Sequence, residues 1–185
     1  MPIKIHDNLP ARKLLQNEIV DVIDSSSAEK QDIRPLRFLL LNLMPKKLET
    51  EVQFARLLGA SPLQIELTLM TTETYLPKNT KKEHLIEFYK TLDDIKNNFY
   101  DVLIITGAPV ETVPFKEVKY WNELKKIILW SSKNVFRKIG VCWGAQALLK
   151  ILYNIEKHSM DKKLFGVYDH NLNQEKRYRL MQGFI

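Results

Sequence analysis

The chain has 185 residues, of which 45% are hydrophobic and 27% charged, and its formal net charge is +6. This length suits one sizeable core rather than two domains, and the composition is that of an ordinary soluble protein. No apolar run approaches the ~20 residues of a membrane span, the N-terminus lacks the apolar core of a signal peptide, and a single cysteine excludes an intramolecular disulfide. We therefore expect a cytoplasmic protein that does not act at a membrane.

The positive charge is unevenly distributed along the chain. Residues 1–132 are balanced, and the whole excess of +6 lies in residues 133–185. A basic face of this kind can attract nucleic acid or phosphate-bearing cofactors. No nucleic-acid motif and no regular interleaving of aromatic and basic residues accompanies it, so we expect no nucleic-acid partner.

Residues 1–35 are predicted to be an N-terminal extension, and residues 36–185 the α/β domain. Leu9-Pro10 indicates a turn, residues 11–23 fit one short helix, and Asp24 with the serines after it ends that helix. We expect such an arm to pack on the outside of the core or on a partner subunit.

Apolar runs and helical patterns then alternate along the chain. Strands are predicted at residues 36–43, 63–70, 100–105 and 164–168 and in the short apolar run that ends at Cys142, and helices at 48–58, 85–92, 120–130 and 144–153. Alternation of this kind predicts a three-layer, doubly wound α/β fold with a mainly parallel sheet. Ligands bind such folds beyond the carboxyl ends of the strands, where the loops 44–47 and 106–111 and the turn at Cys142 should meet.

The turn at Cys142 carries the strongest chemical signal. It reads Gly140-x-Cys142-x-Gly144 between a strand and a helix, which is the nucleophile-elbow pattern with a thiol as the nucleophile. The small residues relieve crowding in the sharp turn, and the positive end of the helix favours the thiolate. The backbone N–H of Trp143 points to where an oxyanion would form. A lone cysteine can also be a small buried hydrophobic residue, and the base remains open among the four histidines: His6, His84, His158 and His170.

The loop 106–111 and two lysine pairs are the other candidate site elements. Gly107 and Ala108 allow close approach of the backbone to a ligand, and the N–H of Ala108 could complete an oxyanion hole. Glu111 could act as a base or exclude anionic acyl groups. Lys46-Lys47 and Lys162-Lys163 could meet phosphates or a carboxylate, or be solvated surface residues. The sequence predicts no metal site.

Seven stretches that span nearly the whole chain resemble one family, the homoserine O-acyltransferases of methionine biosynthesis, which comprise O-succinyl- and O-acetyltransferases. The stretches are MPIKI (1–5), QDIRPL (31–36), LNLMPKK (41–47), TEVQ (50–53), TGAPVE (106–111), CWGAQA (142–147) and KLFGV (163–167).

The resemblance implies a fold like that of the class I glutamine amidotransferases, which is flavodoxin-like. It implies transfer of an acetyl group from acetyl-CoA, used as a co-substrate with no permanently bound cofactor, to the hydroxyl of L-homoserine through an acyl-Cys142 intermediate. By this resemblance Lys163 would help to bind substrate, and Glu111 would select acetyl over succinyl groups. From its place after a strand end, Lys47 is also predicted to bind substrate. A homodimer is also implied.

The resemblance further implies that the chain is C-terminally truncated. Family members continue beyond the point that resembles residues 179–185, and their catalytic histidine and glutamate, with an arginine for the amino acid, lie in that final third. We therefore expect impaired activity. The alternatives are an L-serine O-acetyltransferase, a glutamine amidotransferase, a non-catalytic remnant, or a subunit whose partner supplies the histidine.

Overall fold

The computed structural model describes residues 2–75, 80–162, 164–169 and 171. In these ranges seven strands form one sheet in which every pairing is parallel. The strands are β1 (Ile3–Lys4), β2 (Val22–Ile23), β3 (Leu36–Leu41), β4 (Ile65–Met70), β5 (Tyr89–Lys90), β6 (Tyr100–Ile105) and β7 (Val135–Gly140).

Helices connect the strands and cover the sheet. They are α1 (Ala11–Asn17), α2 (Ser25–Glu29), α3 (Lys47–Gly59), α4 (Lys82–Phe88), α5 (Leu92–Ile95), α6 (Trp121–Asn134) and α7 (Trp143–Tyr153), with a 3-10 turn at Phe115–Glu117. The strand order is β2-β1-β4-β3-β6-β7, and β5 also pairs with β4. Since β1 pairs with Ile65 and Glu66 and β5 pairs with Leu69 and Met70, the two short strands follow one another along β4.

The last three residues of β3 and of β6 are apolar and buried, because helices cover both faces of the sheet there. Leu39 and Leu41 of β3 belong to a core cluster that includes α6 and α7, whereas Leu40 belongs to a second cluster that includes α1, α3 and α4. Alternate residues of a strand point to opposite faces, so one continuous apolar run supplies both cores. The predicted three-layer α/β fold with a mainly parallel sheet is therefore confirmed.

The N-terminal residues do more than cover the core. We expected residues 1–35 to lie outside the sheet, but β1 pairs with β4 inside it, and β2 pairs with β1 at its end. Strands of two residues are too short to produce a pattern in the sequence. The predicted division at residue 35 stays a prediction, although part of the first segment completes the sheet.

Two predicted helices are only partly right. The helix expected over residues 11–23 ends at Asn17, Ile19 takes a left-handed backbone with φ 59°, and β2 follows. The β-branched residues Ile19, Val20, Val22 and Ile23 favour an extended chain there. The helix expected over residues 85–92 divides into α4, β5 and α5, because Tyr89 pairs with Leu69 of β4.

The strand predicted at residues 164–168 is wrong. No strand forms over residues 164–169, and the apolar side chains of Leu164, Phe165 and Val167 are exposed. Periodicity identified an apolar run, but a strand also needs a neighbouring strand to pair with, and no described strand lies alongside.

Candidate active site

Cys142 stands between the end of β7 and the start of α7 with a strained backbone. Its φ and ψ are 53° and −122°, a combination that residues with a β-carbon rarely adopt. The side chain is exposed. The chain must turn from strand to helix at a single residue, and this conformation directs the thiol away from the sheet. The predicted elbow is therefore present, and the alternative of a buried apolar cysteine is wrong.

The two glycines of the elbow are required by backbone contacts. A β-carbon on Gly140 would lie 2.5 Å from Cα of Ala145, and one on Gly144 would lie 2.5 Å from the carbonyl oxygen of Ile105 and 2.6 Å from that of Thr106. Backbone atoms cannot move aside as the tip of a side chain can. Glycine at both positions lets α7 begin in direct contact with the ends of β6 and β7.

Trp143 fixes the first turn of α7. It is the first residue of the helix, so its backbone N–H is one of the donors that a helix leaves without an intrahelical acceptor. Its indole is fully buried among aromatic rings, with centroid distances of 6.0 Å to Tyr120, 6.1 Å to Phe115 and 6.3 Å to Trp121. This packing fixes the N–H beside the thiol.

The loop after β6 contacts the cysteine directly. A β-carbon on Gly107 would lie 3.2 Å from Cβ of Cys142 and 3.5 Å from its Sγ. The backbone N–H of Val141 donates to the carbonyl oxygen of Ile105 at 2.9 Å, which extends the pairing of β6 and β7 to the residue before the thiol. Ala108, the second predicted oxyanion donor, is buried one residue further along.

Thr106 joins this loop to the one that follows β3. Its buried hydroxyl accepts a hydrogen bond from the backbone N–H of Leu43 at 2.8 Å and donates to the carbonyl oxygen of Gly107 at 3.0 Å. The three predicted loops therefore meet at the carboxyl edge of the sheet. This connecting role of Thr106 depends on a contact with a residue 63 positions earlier in the chain, so the motif that contains Thr106 does not predict it.

Lys47 lies in a buried position at the start of α3. Its ammonium group donates to the carbonyl oxygen of Asn42 and lies 5.2 Å from the ring centroid of Tyr89. Burial lowers the pKa of Lys47 to about 8, although the nearby Glu51 carboxylate opposes the shift. The surface alternative for this lysine is wrong.

A buried polar network surrounds that lysine, and the sequence analysis missed it. The hydroxyl of Tyr89 donates to Glu51 Oε1 at 2.6 Å and accepts from the side-chain amide of Asn42 at 2.9 Å. His84 Nε2 lies 2.9 Å from the same Glu51 oxygen. Burial, followed by the charge and hydrogen bond of Glu51, raises the pKa of Tyr89 far above its usual value. Helical spacing hides this network, because it joins residues from four separate elements.

Glu111 lines a cleft that borders α7. The cleft has a volume of about 1100 Å³, and its walls include Phe115, Gln146, Lys157 and His158. The side chain of Glu111 is exposed. Gln146 lies on the first turns of α7, so the cleft borders the helix that begins at the thiol.

The remaining candidates divide into described and undescribed residues. Lys163 and His170 lie outside the described residues. Among the others, His158 borders the cleft, His84 faces Glu51, and His6 packs edge-on against Phe88 at 5.2 Å. Within the ranges that the structure covers, no side chain hydrogen-bonds to Cys142 Sγ, so the geometry assigns no base.

The described residues contain neither a candidate metal site nor a candidate membrane-spanning helix. They contain no group of three or more His, Cys, Asp or Glu side chains that could hold a metal ion. No helix among them has the length and apolar character needed to cross a membrane.

Comparison with known proteins matches the whole chain to one family. A family model described as homoserine O-succinyltransferase matches residues 2–185. Curated relatives include proteins named homoserine O-acetyltransferase from Shouchella clausii (52% identical), Bacillus subtilis (50%) and Clostridium acetobutylicum (52%). Each alignment covers 184 residues and 100% of this chain, but only 59%, 61% and 61% of the respective relatives. The chain thus spans about 60% of the length of the relatives it matches.

Proposed function

This chain belongs to the homoserine O-succinyltransferase family, and we propose that it carries the acyl-accepting nucleophile of an enzyme that transfers an acetyl group from acetyl-CoA to the hydroxyl of L-homoserine. The product would be an activated ester of homoserine in the biosynthesis of methionine. The single observation that carries the proposal is the exposed Cys142 on a strained elbow between β7 and α7.

In the first half-reaction, the thiolate of Cys142 attacks the thioester carbonyl of acetyl-CoA. A tetrahedral oxyanion forms, the carbon–sulfur bond to CoA breaks, and CoA leaves as a thiol after it takes up a proton. An acetyl thioester remains on Cys142. In the second half-reaction, the hydroxyl of homoserine loses its proton and attacks this thioester, which forms the ester and restores the thiolate.

We assign the backbone N–H groups of Trp143 and Ala108 to the oxyanion hole. The first is supported by its place at the start of α7, where its donor is free and the helix dipole is positive. The second is supported by the contact of its neighbour Gly107 with Cys142. In acyl-transfer enzymes one such donor contributes about 10²–10³ in rate, so two fixed N–H groups are a substantial part of the catalysis.

We assign acyl selection to Glu111. Glu111 is exposed and lines the cleft beside α7, where its carboxylate would repel the free carboxylate of a succinyl group and tolerate an acetyl group. Lys47 and Lys163 are proposed to bind substrate. For Lys47, the proposal is supported by its place at the start of α3, directly after the loop that follows β3.

Mass spectrometry of the intact chain tests the proposal. After incubation with acetyl-CoA the mass should increase by one acetyl group, and hydroxylamine should remove the group because thioesters react with it. Cys142→Ser should abolish this thioester. Absence of any adduct on the unaltered chain would contradict the proposal.

The acceptor needs a separate comparison, because the described residues do not select one. The acetylated chain is mixed with L-homoserine or with L-serine, and loss of the acetyl group is followed over time. Faster loss with homoserine supports the proposal, whereas faster loss with serine makes the chain part of a serine O-acetyltransferase. Ammonia release from glutamine would identify an amidotransferase. The homodimer belongs to the proposal and is measured by light scattering.

A further inference from the structure

The side chain of Lys157 contacts the backbone of the turn of residues 110–113, which carries Glu111. Its ammonium nitrogen is within hydrogen-bonding distance of three backbone carbonyl oxygens, 2.6 Å from that of Val113, 2.5 Å from that of Glu111 and 3.4 Å from that of Val110. It also lies 5.0 Å from the ring centroid of Phe115. A lysine ammonium has three N–H donors, so these carbonyls can occupy all of them.

The end of α7 brings Lys157 to this position. Asn154 takes a left-handed backbone with φ 54°, and the N–H of Ile155 donates back to the carbonyl oxygen of Leu149 at 3.2 Å, which closes the helix. Lys150 bonds to both Asn154 and Glu156 and fixes the segment that follows. The segment that follows α7, the helix that starts directly after Cys142, therefore returns to the turn of residues 110–113.

The carboxylate of Glu111 has no such support of its own. Among the described residues, no side chain forms a hydrogen bond or an ion pair with it, and it is exposed. Its position therefore depends on the backbone of residues 110–113. Within the turn, Val113 N–H donates to the Val110 carbonyl at 3.1 Å, and Val110 N–H donates to that of Ala108 at 2.8 Å.

We propose that Lys157 is a positioning residue for acyl choice. It holds the turn of residues 110–113 so that the Glu111 carboxylate stays in the cleft beside α7. The inference rests on the proposed function, since it assumes that Glu111 selects the acyl group. Lys157 acts through the backbone of the turn and does not touch the substrate.

An alternative role for Lys157 is direct attraction of the acyl group, and it predicts the opposite change in the preference for acetyl-CoA. A free ammonium in the pocket would attract the carboxylate of a succinyl group, so its removal would increase the preference for acetyl-CoA. A lysine whose donors are all held by carbonyls cannot do this. Its removal frees the turn, lets Glu111 move away, and reduces the preference for acetyl-CoA.

The test compares Lys157→Met with Lys116→Met. Lys116 is an exposed lysine on the wall of the same cleft, and its ammonium group forms no hydrogen bond with the described residues, so it is a matched control for loss of charge. The rate of Cys142 acylation is measured by mass spectrometry with acetyl-CoA and with succinyl-CoA. We expect the ratio of the two rates to fall about tenfold in Lys157→Met and to stay unchanged in Lys116→Met.

Two more measurements separate this role from a general structural one. Amide hydrogen exchange should rise at residues 110–113 in Lys157→Met only, while the thermal midpoint stays close to that of the unaltered chain. In a Glu111→Gly background, adding Lys157→Met should leave the acyl ratio unchanged, because the group that Lys157 positions is gone.

Each result decides the inference. An unchanged ratio, a ratio that moves toward acetyl-CoA, or an equal effect of Lys116→Met would overturn it. If the unaltered chain accepts no acyl group from acetyl-CoA, the proposed function fails and acyl choice by Lys157 fails with it. If acylation proceeds but the Lys157→Met ratio does not fall, only the present inference fails.

Discussion

Gly107 and Cys142 are in contact across the carboxyl edge of the sheet, with 3.2 Å between Cβ of Cys142 and the place where a β-carbon on Gly107 would lie. A methyl group on Gly107 would therefore fit only if Cys142 or the loop moved by a few tenths of an ångström. The loop after β6 therefore restricts how far the thiol can move.

Gly107→Ala should slow the reaction of Cys142 while the fold persists. The added methyl group would displace the thiol by a few tenths of an ångström, and misplacements of reacting groups on this scale reduce rates by about tenfold or more. The rate of alkylation by iodoacetamide and the rate of acylation by acetyl-CoA measure the effect. Equal rates in the variant and the unaltered chain would mean that the loop after β6 moves to accommodate the methyl group and leaves the thiol in place.

Gly144→Ala should destabilise the fold much more than a glycine substitution elsewhere. Its methyl group would meet the carbonyl oxygens of Ile105 and Thr106 at 2.5 and 2.6 Å, and forcing such contacts costs about 1–3 kcal/mol or more. Gly59→Ala is the matched control, since its nearest atom at 2.7 Å is a methyl carbon of Val20 and its three nearest contacts are all with side-chain atoms. Urea denaturation gives both free energies of unfolding, and similar losses would contradict the argument.

Thr106→Val should cost about 1–3 kcal/mol of stability, because the buried N–H of Leu43 loses its acceptor at nearly constant side-chain volume. The loops after β3 and β6 would also separate. Thr112→Val, at an exposed position, controls for the change of residue type. The measurement is urea denaturation combined with amide exchange at Leu43, which should increase only in Thr106→Val.

Lys47 should make the stability depend on alkaline pH. Its pKa is about 8 in the fold and near the ordinary 10.5 when unfolded, so between these values the unfolded state binds the additional proton. The free energy of unfolding should therefore rise as the pH increases from 8 to 10.5, by up to about 3 kcal/mol.

Lys47→Met should remove that rise, because methionine has no proton to release. As the pH rises from 8 to 10.5, the unaltered chain should therefore gain up to about 3 kcal/mol of stability relative to the variant. Lys46→Met, at the exposed neighbouring position, controls for the loss of one positive charge. Parallel stability curves for the unaltered chain and Lys47→Met would show that burial does not disfavour the charged lysine.

The central sheet and the elbow could be predicted because both depend on short stretches of sequence. Near-continuous apolar runs at residues 36–43 and 100–105 identified β3 and β6, and glycines two residues either side of Cys142 predicted a turn that only small residues permit. By contrast, β1, β2 and β5 contain two residues each and depend on pairing with distant strands. The error at residues 164–168 has the same origin, since pairing cannot be read from one strand.

The supporting residues of the site could not be predicted because they act over long separations in sequence. Lys157 contacts carbonyl groups more than forty residues earlier in the chain, and Tyr89 joins Asn42 to Glu51. A lysine in a polar segment gives no indication of which backbone it meets. The burial of Lys47 likewise follows from the packing of α3 on the sheet and not from the residues beside it.

The positive φ of 53° at Cys142 places backbone strain at the proposed nucleophile, and this strain lowers the stability of the fold. A side chain in that conformation costs about 1–3 kcal/mol, which glycine would not incur. A screen of variants for thermal stability alone would therefore favour the replacement of Cys142 by glycine, which removes the thiol. Any programme of stabilisation has to retain residue 142 by requiring thiol chemistry in the same screen.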